Sequence, residues 1–209
     1  LYNNRDDYLN SKEDHELIKA IETENEEIVK AVLDNLDINP NEYYTPLEGD
    51  FQLDENPLET PLSVAIKTKK IAIVKALLSH PKIEIDKEFD RGDTALTETC
   101  YTDDEDYGLK IIKLLLDKEK SEGGLQKPSI INHRTLEDFT PIYIASFKGH
   151  NKILKFLNDH DSEWVISIYG ATPLNIAAEM GNNDTIQFLI DNNICDINSI
   201  EYDNPLISA

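Results

Sequence analysis

A short phrase recurs along this chain and limits its fold more than any other feature. Ala171-Thr172-Pro173-Leu174 runs directly into Asn175-Ile176-Ala177-Ala178-Glu179-Met180-Gly181. Weaker copies are Glu59-Thr60-Pro61-Leu62-Ser63-Val64-Ala65, Phe139-Thr140-Pro141-Ile142-Tyr143-Ile144-Ala145 and Asp93-Thr94-Ala95-Leu96. Self-similarity of this kind means stacked copies of one small unit, each unable to bury its apolar face alone. The starts at Thr60, Thr94, Thr140, Thr172 and Asn204 are spaced by 34, 46, 32 and 32 residues. An earlier copy emerges when Glu16–Leu33 is laid over Pro61–Leu78. The two align without a gap, with nine identities in eighteen positions.

Each recurring position has a physical reason. Proline fits the first turn of a helix, where its missing N–H would have no partner anyway. The threonine before it can accept from the exposed amides of that turn. Paired alanines, as at Ala177-Ala178, let one helix approach its neighbour closely. Gly149 and Gly181 suit a helix end that turns through a left-handed residue. Apolar residues then recur three and four apart, as in Ile153-Leu154-Lys155-Phe156-Leu157, which predicts a second amphipathic helix. Departures occur at Ala95, which replaces proline, at Thr99-Cys100, which replaces the alanine pair, and at Lys69, which replaces the glycine.

This pattern resembles the ankyrin repeat, whose period is roughly 33 residues. The segments Leu36-Asp37-Ile38-Asn39, Ile83-Glu84-Ile85-Asp86, Ile130-Ile131-Asn132 and Cys195-Asp196-Ile197-Asn198 resemble the stretch that leads into that family's finger. The expected fold is an all-α repeat solenoid of stacked helix-turn-helix units with β-hairpin or loop fingers. The expected units are a divergent N-terminal repeat with an acidic loop insert over 1–59, then repeats at 60–93, 94–139, 140–171 and 172–203. A truncated copy starts at 204–209, so the chain reads as part of a longer protein. The 46-residue spacing predicts two inserts in the 94–139 repeat. Four extra residues fall between its helices, within Thr102–Tyr107, and eight follow its outer helix, around Glu119–Lys127. The insert at Pro40–Pro57 carries Tyr43, Tyr44 and Phe51 among acids. It reads as a loop that covers the core end or meets a partner.

Composition removes several functions. The formal net charge is −21, with 17 acidic and 4 basic residues in 1–59 and 24 and 16 in 60–209. Such a surface repels phosphate backbones, so no nucleic-acid partner is expected. It favours and hastens the approach of a basic partner. No apolar run reaches the roughly 18 residues of a membrane span, so no membrane contact is expected. Cys100 and Cys195 form no disulfide framework. They predict a cytoplasmic or other reducing intracellular compartment. Abundant Asn, Ile, Lys and Asp hint at an AT-rich genome, and a secreted pathogen effector acting in a host cell fits that hint.

No chemistry stands out. Gly123-Gly124 is not followed by the Lys-Ser/Thr of a phosphate loop, and the five histidines have no metal-ligand spacing. Asp103-Asp104-Glu105-Asp106 lacks the glycine-centred calcium loop and reads as a solvated acidic turn. Neither cofactor nor metal nor catalysis is expected. By resemblance, His150 is a structural histidine that bonds neighbouring turns. The resemblance also implies a non-catalytic protein-interaction scaffold, a monomer that binds a protein partner through its concave groove and fingers. The alternative is a targeting module of a larger enzyme, or an effector with its catalytic domain outside this chain. The implied contact residues are Tyr101, Phe139, Phe147, Lys148, Tyr169, Glu179 and Met180. The aromatic and apolar ones form a ligand-facing stripe, or tuck between repeats. Trp164 reads as packing under a finger or as an aromatic anchor.

Overall fold

The structure, a computed structural model, describes residues 16–35, 37–45, 58–122, 129–160, 162 and 172–192. These residues form ten helices in five antiparallel pairs. The pairs are α1 (Glu16–Glu22) with α2 (Glu26–Leu33), α3 (Pro61–Lys67) with α4 (Ile71–Leu78), and α5 (Ala95–Tyr101) with α6 (Glu105–Ser121). They continue with α7 (Pro141–Lys148) and α8 (Asn151–Asn158), then α9 (Pro173–Glu179) and α10 (Asn183–Asp191). The odd-numbered inner helices pack successively on one another, and the even-numbered outer helices do the same. One continuous apolar core runs between the two rows, from Leu17 through Ile73, Leu96 and Ile112 to Leu157.

The repeated phrase does its expected local work. Thr60, Thr94, Thr140 and Thr172 cap the inner helices, each accepting from the amide three residues on, at 3.1–3.5 Å. Ala65, Ala145 and Ala177 are wholly buried where inner helices meet. Gly149 and Gly181 turn through left-handed conformations, with φ of 73° and 72°. Glu24 and Lys69 occupy the same turn position with φ of 54° and 60°, although both carry a Cβ. That conformation costs an ordinary L-residue about 1–2 kcal/mol. Lys69→Gly is expected to raise stability by about 1 kcal/mol in urea denaturation, because the exposed side chain has little packing to lose. An unchanged or lower midpoint would mean the turn carries no such strain.

One expected insert lies elsewhere. The turn of the third pair, Thr102–Asp104, is as long as Thr68–Lys70 of the second. The four extra residues instead lengthen the outer helix, and α6 has 17 residues against eight in α4. Four residues make about one helical turn, so the apolar stripe stays on the core side. The second insert overlaps 123–128, which lie outside the described residues, as do the finger around Trp164, Cys195 and the copy starting at Asn204.

Fingers join the pairs. In the fingers around 89–93 and 135–139, Phe89 N–H donates to Asp93 O at 2.8 Å and Thr135 N–H to Phe139 O at 3.0 Å. Successive fingers bond through Asp90 N–H to Leu58 O at 3.1 Å and Leu136 N–H to Arg91 O at 2.8 Å. Among the described residues the only β-type pairing is the bridge between Tyr44 and Glu59, so these fingers are loops. A Cβ on Gly92 would sit 3.1 Å from the Leu136 amide nitrogen, so this close finger contact favours glycine.

Candidate interaction face and the bonds that shape it

The inner-helix face is held in register by a recurring hydrogen bond. The acceptor is a carbonyl at the sixth residue of α3 and again of α7. Tyr107 Oη donates to Ile66 O at 2.8 Å. His150 is buried at the corresponding turn of the fourth pair, and the nearby Cys100 backbone favours its protonated ring. Asn182 Nδ2 donates to Ser146 O and Phe147 O, both at 2.9 Å. These carbonyls lie in the last turn of their helices, where the regular helical donors run out; Ile66 O and Ser146 O also accept from the Lys69 and Gly149 amides at 3.1 and 3.2 Å. A tyrosine hydroxyl and an asparagine amide, each from the next pair, add a bond that ties the pairs together. In the third pair Asp104 stands where His150 stands in the fourth, and it caps α6 instead. An aspartate cannot donate, and the added turn of α6 delivers the Tyr107 hydroxyl. Burial raises the Tyr107 phenol to about 12, so it stays a donor at any ordinary pH.

His150 is buried at the turn before α8. It is 7% exposed, and its Nδ1 has no hydrogen-bond partner. Burial pushes its pKa below the ordinary histidine value, with Glu105 opposing. The unfolded chain therefore takes up a proton that the folded chain resists. Stability from His150 is complete above about pH 6.5 and declines as pH falls below that value. His150→Asn, which copies Asn182, is expected to flatten that decline. Melting temperatures from pH 7 to 5 test this; an equal slope in both proteins would place the titrating group elsewhere.

The acidic run Asp103–Asp106 is largely solvent-exposed, as the sequence implied, and it also pairs across repeats. Asp103 accepts from Lys148 Nζ at 2.7 Å, and Asp106 from Lys152 Nζ at 2.6 Å. These lysines hold both carboxyls below the usual range. Glu105 accepts from the Lys152 and Ile153 amides at 2.5 and 3.3 Å, capping α8 from the preceding pair. Among the described residues no group of three His, Cys, Asp or Glu could hold a metal ion.

The structure distributes the expected contact residues unevenly. Phe147 and Met180 are the open ones, 37% and 43% exposed, at the ends of successive inner helices. Glu179 is exposed beside Met180. Lys148 is engaged by Asp103. Tyr101 and Phe139 pack partly against the core, and Phe139 stacks on Tyr143 with centroids 4.6 Å apart. Tyr169 lies outside the described residues.

Two exposed leucines were missed. Leu136 is 78% exposed at a finger tip and Leu58 is 42% exposed two fingers earlier. The capping pattern flags neither residue, because finger exposure depends on how loops bond to one another. At the other end of the chain Tyr43 docks on the next finger region. Its hydroxyl donates to Glu88 O at 2.9 Å, and Lys87 Nζ stands 4.5 Å from its ring centroid. Phe51 lies outside the described residues.

Residues 105–201 match the family model of ankyrin repeats in three copies. That stretch, just under half of the chain, consists of ankyrin repeats. No curated protein matches the chain. The match starts at α6, while the helix pairs begin at Glu16. The earlier units are the ones that depart from the family pattern at Glu24, Lys69, Ala95 and Thr99-Cys100. Ankyrin repeats generally act as protein-protein interaction modules and are typically non-catalytic. Cys100 fits that picture: it is fully buried and burial pushes its thiol far up, which leaves no reactive thiolate.

Proposed function

We propose that this chain is a non-catalytic scaffold that binds a basic protein segment along its inner helices and fingers. One observation carries the reading. Phe147 and Met180 at the ends of successive inner helices and Leu136 at a finger tip are exposed large apolar side chains, with Glu179 next to Met180 and Glu137 next to Leu136 in the chain. Apolar side chains left open beside charged rims mark interaction surfaces. The other strongly acidic stretch, 103–106, is already paired with lysines of the same chain. A net charge of −21 supplies long-range attraction for a cationic partner.

The test is retention of proteins from cell extract on the immobilised chain, beside the Phe147→Ser, Met180→Ser variant. Both positions are open, so the double variant is expected to unfold within about 0.5 kcal/mol of the parent. Proteins retained by the parent at low and high salt should be lost from the variant. Equal retention by both would remove this face from the interface. A large drop in stability would place the two side chains in the core.

A further inference from the structure

Between two fingers and helix α5 lies a face on which the protein leaves negative charge uncompensated. Glu59, Asp90, Asp93, Glu98 and Glu137 face two cations, Lys67 and Arg91. Lys67 Nζ holds Glu59 at 2.9 Å and reaches Glu98 only at 3.7 Å. Arg91 divides itself between Asp90 at 3.8 Å and Glu137 at 3.9 Å, with its side chain 68% exposed. Asp93 has the Thr97 hydroxyl at 2.8 Å, and no lysine or arginine pairs with it among the described residues. Taking carboxylates out of water without a matched cation is unfavourable. Consistently, burial followed by Asp90 and Glu137 raises Asp93 above the usual carboxylate range. Burial also raises Glu98, more than Lys67 opposes it.

The surroundings suit a peptide side chain. Tyr101 is three residues beyond Glu98 on the same helix, so both share a face. Burial raises the Tyr101 phenol, and Asp93 and Glu137 add to that rise. The phenol therefore offers a neutral ring and a donor hydroxyl beside carboxylates. Leu136 stands open at the rim of the same finger that carries Glu137.

We propose that this face is the subsite that reads one arginine or lysine of the bound segment, with Glu98 and Asp93 as its carboxylate partners, Tyr101 as its wall and Leu136 as the contact for an adjacent apolar residue. The occupant is a protein segment carrying a cation beside an apolar side chain. Charge complementarity selects it: an incoming ammonium or guanidinium supplies the cation that Asp93 lacks and that Glu98 shares. The arrangement rests on the scaffold reading and adds the chemistry of the partner to it.

The experiment uses the full chain and an array of capped decapeptides. Their central position is Arg, Lys, citrulline or Glu, and the flanks are randomised. The parent should retain Arg and Lys peptides at least tenfold over citrulline. Glu98→Gln should reduce that preference at least tenfold while melting at a higher temperature, since it removes an unmatched charge. Phe147→Ser should lower total retention and leave the preference for Arg over citrulline intact. If the parent retains Arg and citrulline peptides equally, and Phe147→Ser abolishes both, the scaffold stands and the cation subsite falls. If the parent retains no peptide, both fall. A Glu98→Gln protein that melts lower than the parent makes Glu98 a structural residue and overturns the subsite.

Discussion

Tyr107→Ala is expected to destabilise the protein by about 3–5 kcal/mol, the range for truncating a large buried aromatic residue. Tyr107 is 6% exposed within the added turn of α6 and belongs to the main apolar cluster. Its ring fills space between the second and third pairs, and its hydroxyl is a second donor to Ile66 O beside the Lys69 amide. Tyr107→Phe separates the two roles. The ring remains, the carbonyl keeps its Lys69 donor, and the expected loss is about 0.5–1.5 kcal/mol. Urea denaturation of both variants checks this. A phenylalanine variant as stable as the parent would show that water or a shift of the helix end replaces the hydroxyl. Hydrogen exchange should locate the loss at the ends of α3 and α5, because in a repeat array each interface supports its immediate neighbours.

Leu154→Ala is the second large effect, expected at about 2–5 kcal/mol. Helix α8 has eight residues and buries only three side chains fully, Ile153, Leu154 and Leu157. It packs on α6, α7 and α10, so a cavity there weakens two stacked interfaces together. Where the surrounding helices collapse into the space the loss falls at the lower end of the range, and where they hold position it rises. The N-terminus of α8 resists movement because Glu105 of the preceding pair holds it. A stiff site favours the larger value. In urea the parent should unfold in one transition and the variant in two, with α9 and α10 melting first. A single transition with a shift below about 1 kcal/mol would show that α8 is not an interior support of the array.

Much of this architecture was legible because the recurring positions are set by backbone needs. Thr172-Pro173 can only begin a helix cheaply, and Gly149 and Gly181 stand where φ is positive. Ala145 and Ala177 are fully buried for the reason their spacing implied. The location of the four-residue insert was not legible. Adding one turn to a helix preserves its apolar period, so the pattern cannot distinguish a longer turn from a longer helix. The pairing of Asp103–Asp106 across repeats was hidden for another reason. Along the sequence it is a run of one sign, and the lysine that meets Asp103 lies 45 residues away. The contact stripe was legible only in part. The resemblance marks Tyr101 on an inner helix and Phe139 on a finger as facing outward, but the stacking of Phe139 on Tyr143 draws that ring against the protein.

The added turn of α6 also states which length changes this array accepts. Each residue inserted into an outer helix rotates everything before it by about 100° about the helix axis. Four residues bring the leading segment back to within about 40° of its starting phase, and that residual angle is small enough for Tyr107 to face inward and Glu105 to meet α8. A deletion of two residues from Glu105–Gly108 would leave the same composition of caps and apolar side chains nearly half a revolution out of phase. Chain length in these helices is thus constrained like an angle, and only changes that complete a rotation can pass without rebuilding the neighbouring repeat.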